Sequence, residues 1–227
     1  MKDLRKNCKS LQTHIVLDRK HKFLDGEISV GSEAYFTPDA YLDYALIKVS
    51  TKGRSRVEWL CNLLHEVGHA EQYHEWVNTA FDGRSNFQSA NETVWGKTAP
   101  FGEDATELSN DWVDGNIELA DYRVAELFQS LVELEKDAEV RAIALMVKYG
   151  LIPRFVSMAD YSQHAWAYIY SYFVTALTRK WIPASAPPYQ VRAIVKAMPK
   201  SLESPIDLAV VLPLFQKHYK SMFELAK

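Results

Sequence analysis

Two histidines and a glutamate stand at a spacing that can bind and use a metal ion. His65, Glu66 and His69 form an HExxH motif. In a helix, residues four apart lie on the same face, so both imidazoles can bind one ion while the Glu66 carboxylate lies beside it. A carboxylate in that position can take a proton from a metal-activated water. The motif therefore predicts a zinc hydrolase.

The residues around the motif predict a helix from residue 56 to residue 77. This segment contains no proline, and its apolar residues recur at intervals of three and four, as a single buried stripe requires. These apolar residues are Val57, Leu60, Cys61, Leu64 and Val67. The helical context favours metal binding over the alternative, in which the two histidines are ordinary polar residues on a helix that packs by its other face.

Two histidines leave a catalytic zinc ion short of protein ligands, because such sites typically use three protein ligands and a water. One option for the third ligand is the same helix, in the longer HExxHxxGxxH pattern. Here, however, Gln72 and Glu75 stand where that pattern has its glycine and its last histidine, and His74 is out of step by one. This option is disfavoured.

A carboxylate on a second helix is the favoured third ligand. Glu135 and Glu139 stand four apart in VELEKDAEVR, so they share one face of a predicted helix. The first can bind the metal, while the second accepts a hydrogen bond from a ligand histidine and fixes its ring. We predict these roles for Glu135 and Glu139 respectively. Glu139 itself, and Glu107 of a Glu107 and Asp111 pair, stay open as third ligands, and a solvated charged face explains the acids as well.

A helix rich in aromatic residues, predicted from residue 160 to residue 181, supplies candidate hydrogen-bond donors. Tyr161, His164, Tyr168 and Tyr172 recur on it at steps of three or four residues. Packing in the core explains such a stripe, because buried tyrosines commonly hydrogen-bond without any catalytic role. If one residue donates to a developing oxyanion, the prediction is His164 or Tyr168.

The remaining patterns predict a mostly helical α+β protein with one domain over residues 1–227. A small β-rich part precedes the motif helix, and a long polar stretch of the kind that forms an insertion or lid separates it from a helical remainder. These four parts occupy residues 1–55, 56–77, 78–115 and 116–227. Strands are predicted at residues 14–17, at 27–30 after the Asp25-Gly26 turn, and at 44–49.

Composition is that of an ordinary globular protein and argues against two kinds of partner. Hydrophobic residues make up 48% of the 227 residues and charged residues 24%. The formal net charge of -3 gives no basic surplus, so no nucleic-acid partner is expected. The longest apolar stretch, residues 165–177, is too short to span a bilayer, so no membrane partner is expected.

Cysteine content and the N-terminal residues favour a cytoplasmic location. The two cysteines, Cys8 and Cys61, cannot build a disulfide framework. The N-terminal residues are basic but lack the apolar core of a secretory signal. We therefore expect a cytoplasmic protein, and the sequence does not specify its oligomeric state.

The chain resembles zincin metallopeptidases of the gluzincin type. The resemblance rests on LLHEVGHAEQY, and on the Glu135 and Glu139 pair, which is similar to the third-ligand helix of several gluzincin families. More narrowly, these segments and DYSQHAWAYIYSYFVTALTRKW resemble uncharacterised metallopeptidases encoded by bacteriophages, over about residues 57–199. The resemblance implies a zincin-like fold, zinc-dependent peptidase activity and, for a bacteriophage protein, the host cytoplasm as its location. It supplies no known substrate.

The leading functional prediction is hydrolysis of a peptide bond in a peptide or protein substrate. Zinc held by His65, His69 and Glu135 would activate a water, and Glu66 would act as the general base. One alternative is a catalytically inactive, zincin-like metal-binding protein that holds a protein partner. Another is a hydrolase of a non-peptide amide such as a cell-wall crosslink, which the lack of an export signal disfavours.

Overall fold

The structure of the protein is a computed structural model, and it describes residues 13–18, 34–39, 44–51, 55–81 and 105–224. The described chain is mostly helical and has a small sheet near the N-terminus, in agreement with the predicted α+β class. The chain divides into two compact units. The first comprises Met1–Asp104 and Asp137–Leu151, and the second comprises Ala105–Lys136 and Ile152–Lys227.

Three described strands form one sheet in the first unit. They are β1 (Thr13–Asp18), β2 (Ala34–Asp39) and β3 (Tyr44–Ser50), and their spatial order is β1-β3-β2. β1 runs parallel to β3, whereas β2 runs antiparallel to β3. The strands predicted at residues 14–17 and 44–49 lie within β1 and β3 and are confirmed.

The strand β2 is one that the sequence pattern does not predict. It contains Pro38, and a proline within a run of residues argues against a strand because it has no backbone N–H to donate. Among the described strands β2 is paired on one side only, with β3, where such a residue is tolerated. The strand predicted at residues 27–30 and the Asp25-Gly26 turn lie outside the described residues.

The motif residues lie on helix α1, which spans Arg56–Phe81. The predicted helix at residues 56–77 is confirmed, and the observed helix continues to residue 81. α1 packs against β3 and β2. Leu63 and Val67 of α1 and Ile47 of β3 are fully buried, with 0% exposure. Because each such side chain contributes about 1.5–3 kcal/mol when buried, the apolar face of α1 holds the motif helix on the sheet.

Gly68 lets α1 come close to a second long helix, α3, which spans Asp121–Lys148. A Cβ atom built on Gly68 would lie 2.5 Å from the carbonyl oxygen of Ala138, nearer than real Cβ atoms come to backbone. Any larger side chain at this position would push the helices apart. Ala138 lies between Glu135 and Glu139 in the sequence, so the contact brings the acidic face of α3 to the HExxH motif.

We expect Gly68→Ala to destabilise the protein and to weaken its binding of metal. Helix propensity alone would favour alanine by about 1 kcal/mol. Overpacking costs about 1–3 kcal/mol, and it dominates here because the Ala138 carbonyl belongs to the backbone and cannot turn aside. Chemical denaturation measures the free energy of unfolding, and titration of the folded protein with zinc measures the dissociation constant.

Gly150→Ala is the matched control for this substitution. Gly150 has a φ of 69°, and no described atom outside its neighbours lies within 4 Å of an added Cβ. Alanine at this φ is strained by about 1–2 kcal/mol, so the control should lose stability but keep the wild-type zinc affinity. A Gly68→Ala protein with the stability and zinc affinity of the wild type would contradict the close approach of the helices.

All the described secondary structure of the second unit is helical. It contains α2 (Ala105–Asp114), the N-terminal part of α3, α4 (Met158–Thr178), α5 (Arg192–Ala197), α6 (Leu208–His218) and α7 (Lys220–Phe223), with a 3-10 turn at Pro188–Gln190. Helix α4 is the predicted aromatic helix. Ser157 caps its N-terminus with a side chain that accepts a hydrogen bond from the backbone N–H of Asp160, and Arg179, which has a φ of 53°, caps its C-terminus.

Helix α2 lies inside the stretch of residues 78–115 that the sequence suggests is an insertion or lid. Its buried residues Ala105, Ser109 and Trp112 are spaced by three and four, but they include a single large apolar side chain, so the helical pattern is weak in the sequence. Residues 82–104 lie outside the described part. Within the part of the chain that is described, no helix combines the length and apolar character needed to cross a membrane.

Candidate metal centre

The two motif histidines face each other across one turn of α1. The Nε2 atoms of His65 and His69 lie 3.2 Å apart. Their ring planes are nearly perpendicular, at 89°, and the ring centroids are 4.7 Å apart. His69 is 8% exposed. The four-residue spacing therefore directs two imidazole nitrogens at one point, as the sequence pattern requires of a shared ion.

Glu135 of α3 joins the two histidines. One ligand atom from each of His65, His69 and Glu135 can be chosen so that all three lie within 4.8 Å of one another, and this is the one such group of histidine, cysteine or acidic residues in the described chain. Glu135 is 8% exposed. A buried carboxylate needs cations or hydrogen-bond donors around it, so this cluster could hold a metal ion.

Glu139 lies one turn further along α3 and contacts His65 rather than joining the cluster. Its Oε1 atom is 3.2 Å from Nδ1 of His65, and both side chains are largely buried. A carboxylate is an acceptor, so it favours a hydrogen on Nδ1 and leaves Nε2 as the metal-binding nitrogen of His65.

His69 has a different neighbour, the amide of Gln72 on the same helix. Nδ1 of His69 lies 3.3 Å from Oε1 of Gln72, and Nε2 of Gln72 donates a hydrogen bond of 2.8 Å to Oδ2 of Asp137. The sequence offers a signal for the first contact, since residues three apart are neighbours on a helix. It offers none for the second, which joins residues 65 positions apart.

Two tyrosines of α4 bond to Glu135. The hydroxyl of Tyr172 donates to Oε1 of Glu135 at 2.9 Å, and the hydroxyl of Tyr168 donates to the same oxygen at 3.3 Å. The two hydroxyl oxygens are 3.0 Å apart. His164, one turn earlier on α4, is exposed, and its Nδ1 lies 2.7 Å from the carbonyl oxygen of Asp160. Tyr168 and Tyr172 thus belong to the surroundings of the cluster.

Glu66 is buried next to the histidines. It is 6% exposed and follows His65 on α1. Acidic residues are almost never fully buried unless they are paired. The general-base role that the motif suggests for Glu66 stays a prediction.

Three other acidic residues that the sequence patterns singled out, Glu75, Glu107 and Asp111, are not part of the metal cluster. Glu75 accepts a hydrogen bond of 2.7 Å from Nη2 of Arg141, and its side chain is 61% exposed. Glu107 is exposed on α2. Asp111, its partner in the sequence pattern, accepts a hydrogen bond of 3.0 Å from Nδ2 of Asn116. None of the three belongs to the cluster of described residues that could hold a metal.

The donor set fits a zinc ion. Two imidazole nitrogens at about 2.0–2.1 Å from a tetrahedral zinc stand about 3.3–3.4 Å apart, and the Nε2 atoms of His65 and His69 are 3.2 Å apart. Two histidines and one glutamate form a known ligand set of catalytic zinc, which keeps a fourth position for water. The same three residues would also accept other divalent ions.

No protein-family model, curated protein or solved structure matches the chain. The resemblance to gluzincins and to metallopeptidases of bacteriophages therefore stays a prediction that rests on the residues. The three clustered side chains support a narrower statement, that the protein has a candidate metal-binding site formed by His65, His69 and Glu135.

Proposed function

We propose that the protein is a zinc-dependent metallopeptidase in which His65, His69 and Glu135 hold the ion. The observation that carries the proposal is the pair of Nε2 atoms directed at each other 3.2 Å apart with a buried carboxylate in the same cluster. A zinc ion bound by three protein ligands supplies Lewis acidity and lowers the pKa of a coordinated water to about 7.

Glu66 is the general base of the proposed reaction. Its carboxylate takes a proton from the water that attacks the scissile carbonyl, and it passes that proton to the leaving amine. Such proton transfer contributes about 10²–10⁴-fold to the rate. Burial of Glu66 limits the solvent around this carboxylate, so the proton stays with the reacting groups.

Tyr168 is the proposed donor to the developing oxyanion. Its hydroxyl is held to Glu135 by a long contact of 3.3 Å, whereas Tyr172 holds the same oxygen at 2.9 Å. Tyr168 can therefore turn its O–H towards a substrate carbonyl while Tyr172 keeps Glu135 in place. His164 is the alternative donor, one turn earlier on the same helix.

A peptide is the proposed substrate class. An extended chain can pair with an outer strand of a sheet through main-chain hydrogen bonds. β2 pairs with β3 on one side within the described sheet, and both strands pack against α1. This arrangement supports a peptide held beside the motif helix more than it supports a small non-peptide amide.

The direct test is cleavage by the purified full-length protein before and after metal removal. We expect hydrolysis of an unfolded protein substrate, complete loss of activity in a chelator, and recovery on addition of one equivalent of zinc. Cleavage that persists without metal would refute the proposal. A protein that binds zinc and cleaves no peptide in a broad mixture would instead favour the inactive metal-binding alternative.

A further inference from the structure

A chain of four polar side chains extends from His69 across to α3. Gln72 contacts Nδ1 of His69 at 3.3 Å and donates to Asp137 at 2.8 Å. Arg141 donates from Nε to Asp137 at 2.8 Å and from Nη2 to Glu75 at 2.7 Å. We call these four residues, Glu75, Arg141, Asp137 and Gln72, the polar relay. All of them lie in the first unit.

We propose that the polar relay fixes the tautomer of His69, with the hydrogen on Nδ1, so that Nε2 offers its lone pair to the metal ion. Gln72 and Asp137 are thus positioning residues for a metal ligand. The inference rests on the metal site of the proposed function, but it does not depend on peptide cleavage.

Arg141 determines which groups donate and which accept along the polar relay. A guanidinium has five N–H donors and no acceptor, so Arg141 can only donate. It points two of those donors at carboxylates, which act as acceptors when ionised. Burial disfavours the charged guanidinium, yet its hydrogen bonds with Asp137 and Glu75 and their charges outweigh burial and raise the pKa of Arg141.

The orientation of the Gln72 amide follows from Asp137. An amide has a donating NH₂ end and an accepting carbonyl end. Because a carboxylate that binds a guanidinium acts as an acceptor, the NH₂ end of Gln72 faces Asp137, and its carbonyl oxygen faces His69. Gln72 is 1% exposed, so water has little access to its amide and does not compete with these partners.

The tautomer of His69 follows from Gln72. A carbonyl oxygen cannot donate, so a hydrogen bond to it requires the hydrogen on Nδ1 of His69. A neutral imidazole carries one N–H, which leaves a lone pair on Nε2. The Glu139 carboxylate, 3.2 Å from Nδ1 of His65, favours the same tautomer for His65. The two Nε2 lone pairs then face each other at 3.2 Å and repel unless a cation lies between them.

Two substitutions test the relay at different points. In Asp137→Ala the oxygen that accepts from both Gln72 and Arg141 is removed, so Gln72 is no longer held in one orientation. In Gln72→Met a side chain of similar length lacks the carbonyl altogether. Asp137 is 45% exposed, so its variant should fold normally. If Gln72→Met does not fold, Asp137→Ala decides the question alone.

The readouts are nitrogen-15 NMR of the imidazoles in metal-free, full-length protein, and zinc affinity by competition with a chelator. In the wild type we expect the hydrogen of His69 on Nδ1. Both variants should shift His69 towards the other tautomer and weaken zinc binding about 10–100-fold, as loss of a ligand's hydrogen-bond partner does. His65, held by Glu139, should keep its tautomer in every variant and serves as an internal reference.

Glu133→Gln is the matched control. It removes one negative charge from α3 one turn before Asp137, and the Glu133 side chain is exposed and bonded to Gln129 rather than to the relay. We expect it to keep both the His69 tautomer and the zinc affinity of the wild type. An equal effect of this variant and Asp137→Ala would show a general charge effect and overturn the proposal.

Two further results would overturn the proposal. One is a wild-type His69 that carries its hydrogen on Nε2 and donates to His65. The other is a folded Asp137→Ala or Gln72→Met protein with the wild-type tautomer and zinc affinity. Failure of the proposed function is a separate result, because a protein that binds zinc through the predicted tautomer but cleaves no peptide would leave the relay intact.

Discussion

The Glu66→Gln variant is expected to bind zinc as tightly as the wild type and to hydrolyse peptides about 10²–10⁴-fold more slowly. A glutamine amide has the size of the carboxylate but cannot accept the proton of the attacking water. Glu66 is not among the three clustered residues that could hold the metal, so its loss should not open the site. Rates on a fluorogenic peptide, with zinc content measured on the same sample, give both quantities.

Glu71→Gln is the control for this experiment, since it removes a negative charge from the same helix α1. We expect it to retain activity near the wild-type rate. Undiminished hydrolysis by Glu66→Gln would show that Glu66 is not the base. Loss of zinc from that variant would show that Glu66 binds the ion, and the assignment of Glu135 would then need revision.

The His65→Ala variant is expected to lose both zinc and activity. It removes one of two imidazole nitrogens that face each other. Loss of a hydrogen-bond partner of a metal ligand typically lowers metal affinity about 10–100-fold, and loss of the ligand itself should lower zinc affinity further. Loss of zinc binding should also remove the contribution of zinc to the free energy of unfolding. Zinc at a concentration 100 times its dissociation constant stabilises a folded protein by about 2.7 kcal/mol, and this gain should vanish in the variant.

His74→Ala is the matched control, because it removes a histidine from the same helix that is not in the metal cluster. Thermal unfolding of each protein, with and without zinc, measures the effect. We expect His74→Ala to show the full zinc-dependent rise in the unfolding temperature. A His65→Ala protein that zinc still stabilises as much as the wild type would mean that the ion binds elsewhere.

The sequence predicted the parts of the site that lie within single helices. His65 and His69 stand four apart on a helix whose apolar spacing is plain, and Glu135 and Glu139 stand four apart on another. Helical periodicity converts such spacings into shared faces. The choice between Glu135 and Glu139 as the clustered residue depends on how α3 meets α1, and periodicity within one helix does not specify that.

The contacts that complete the site depend on tertiary structure, which explains why the sequence did not reveal them. Gly68 carries no signal in the sequence that it is needed, and its importance appears only when the carbonyl oxygen of Ala138 is found against it. Likewise, Gln72 and Asp137 carry no motif, and their hydrogen bond spans 65 positions. The strand β2 was not predicted because it contains Pro38, and a proline within a run of residues argues against a strand.

A crystal structure of the zinc-loaded protein, with anomalous scattering recorded at the zinc edge, tests the central claim most directly. We predict one anomalous peak bound by Nε2 of His65, Nε2 of His69 and a carboxylate oxygen of Glu135. A peak at other residues, or imidazole rings turned away from each other around an empty site, would contradict the metal centre and the chemistry proposed for it.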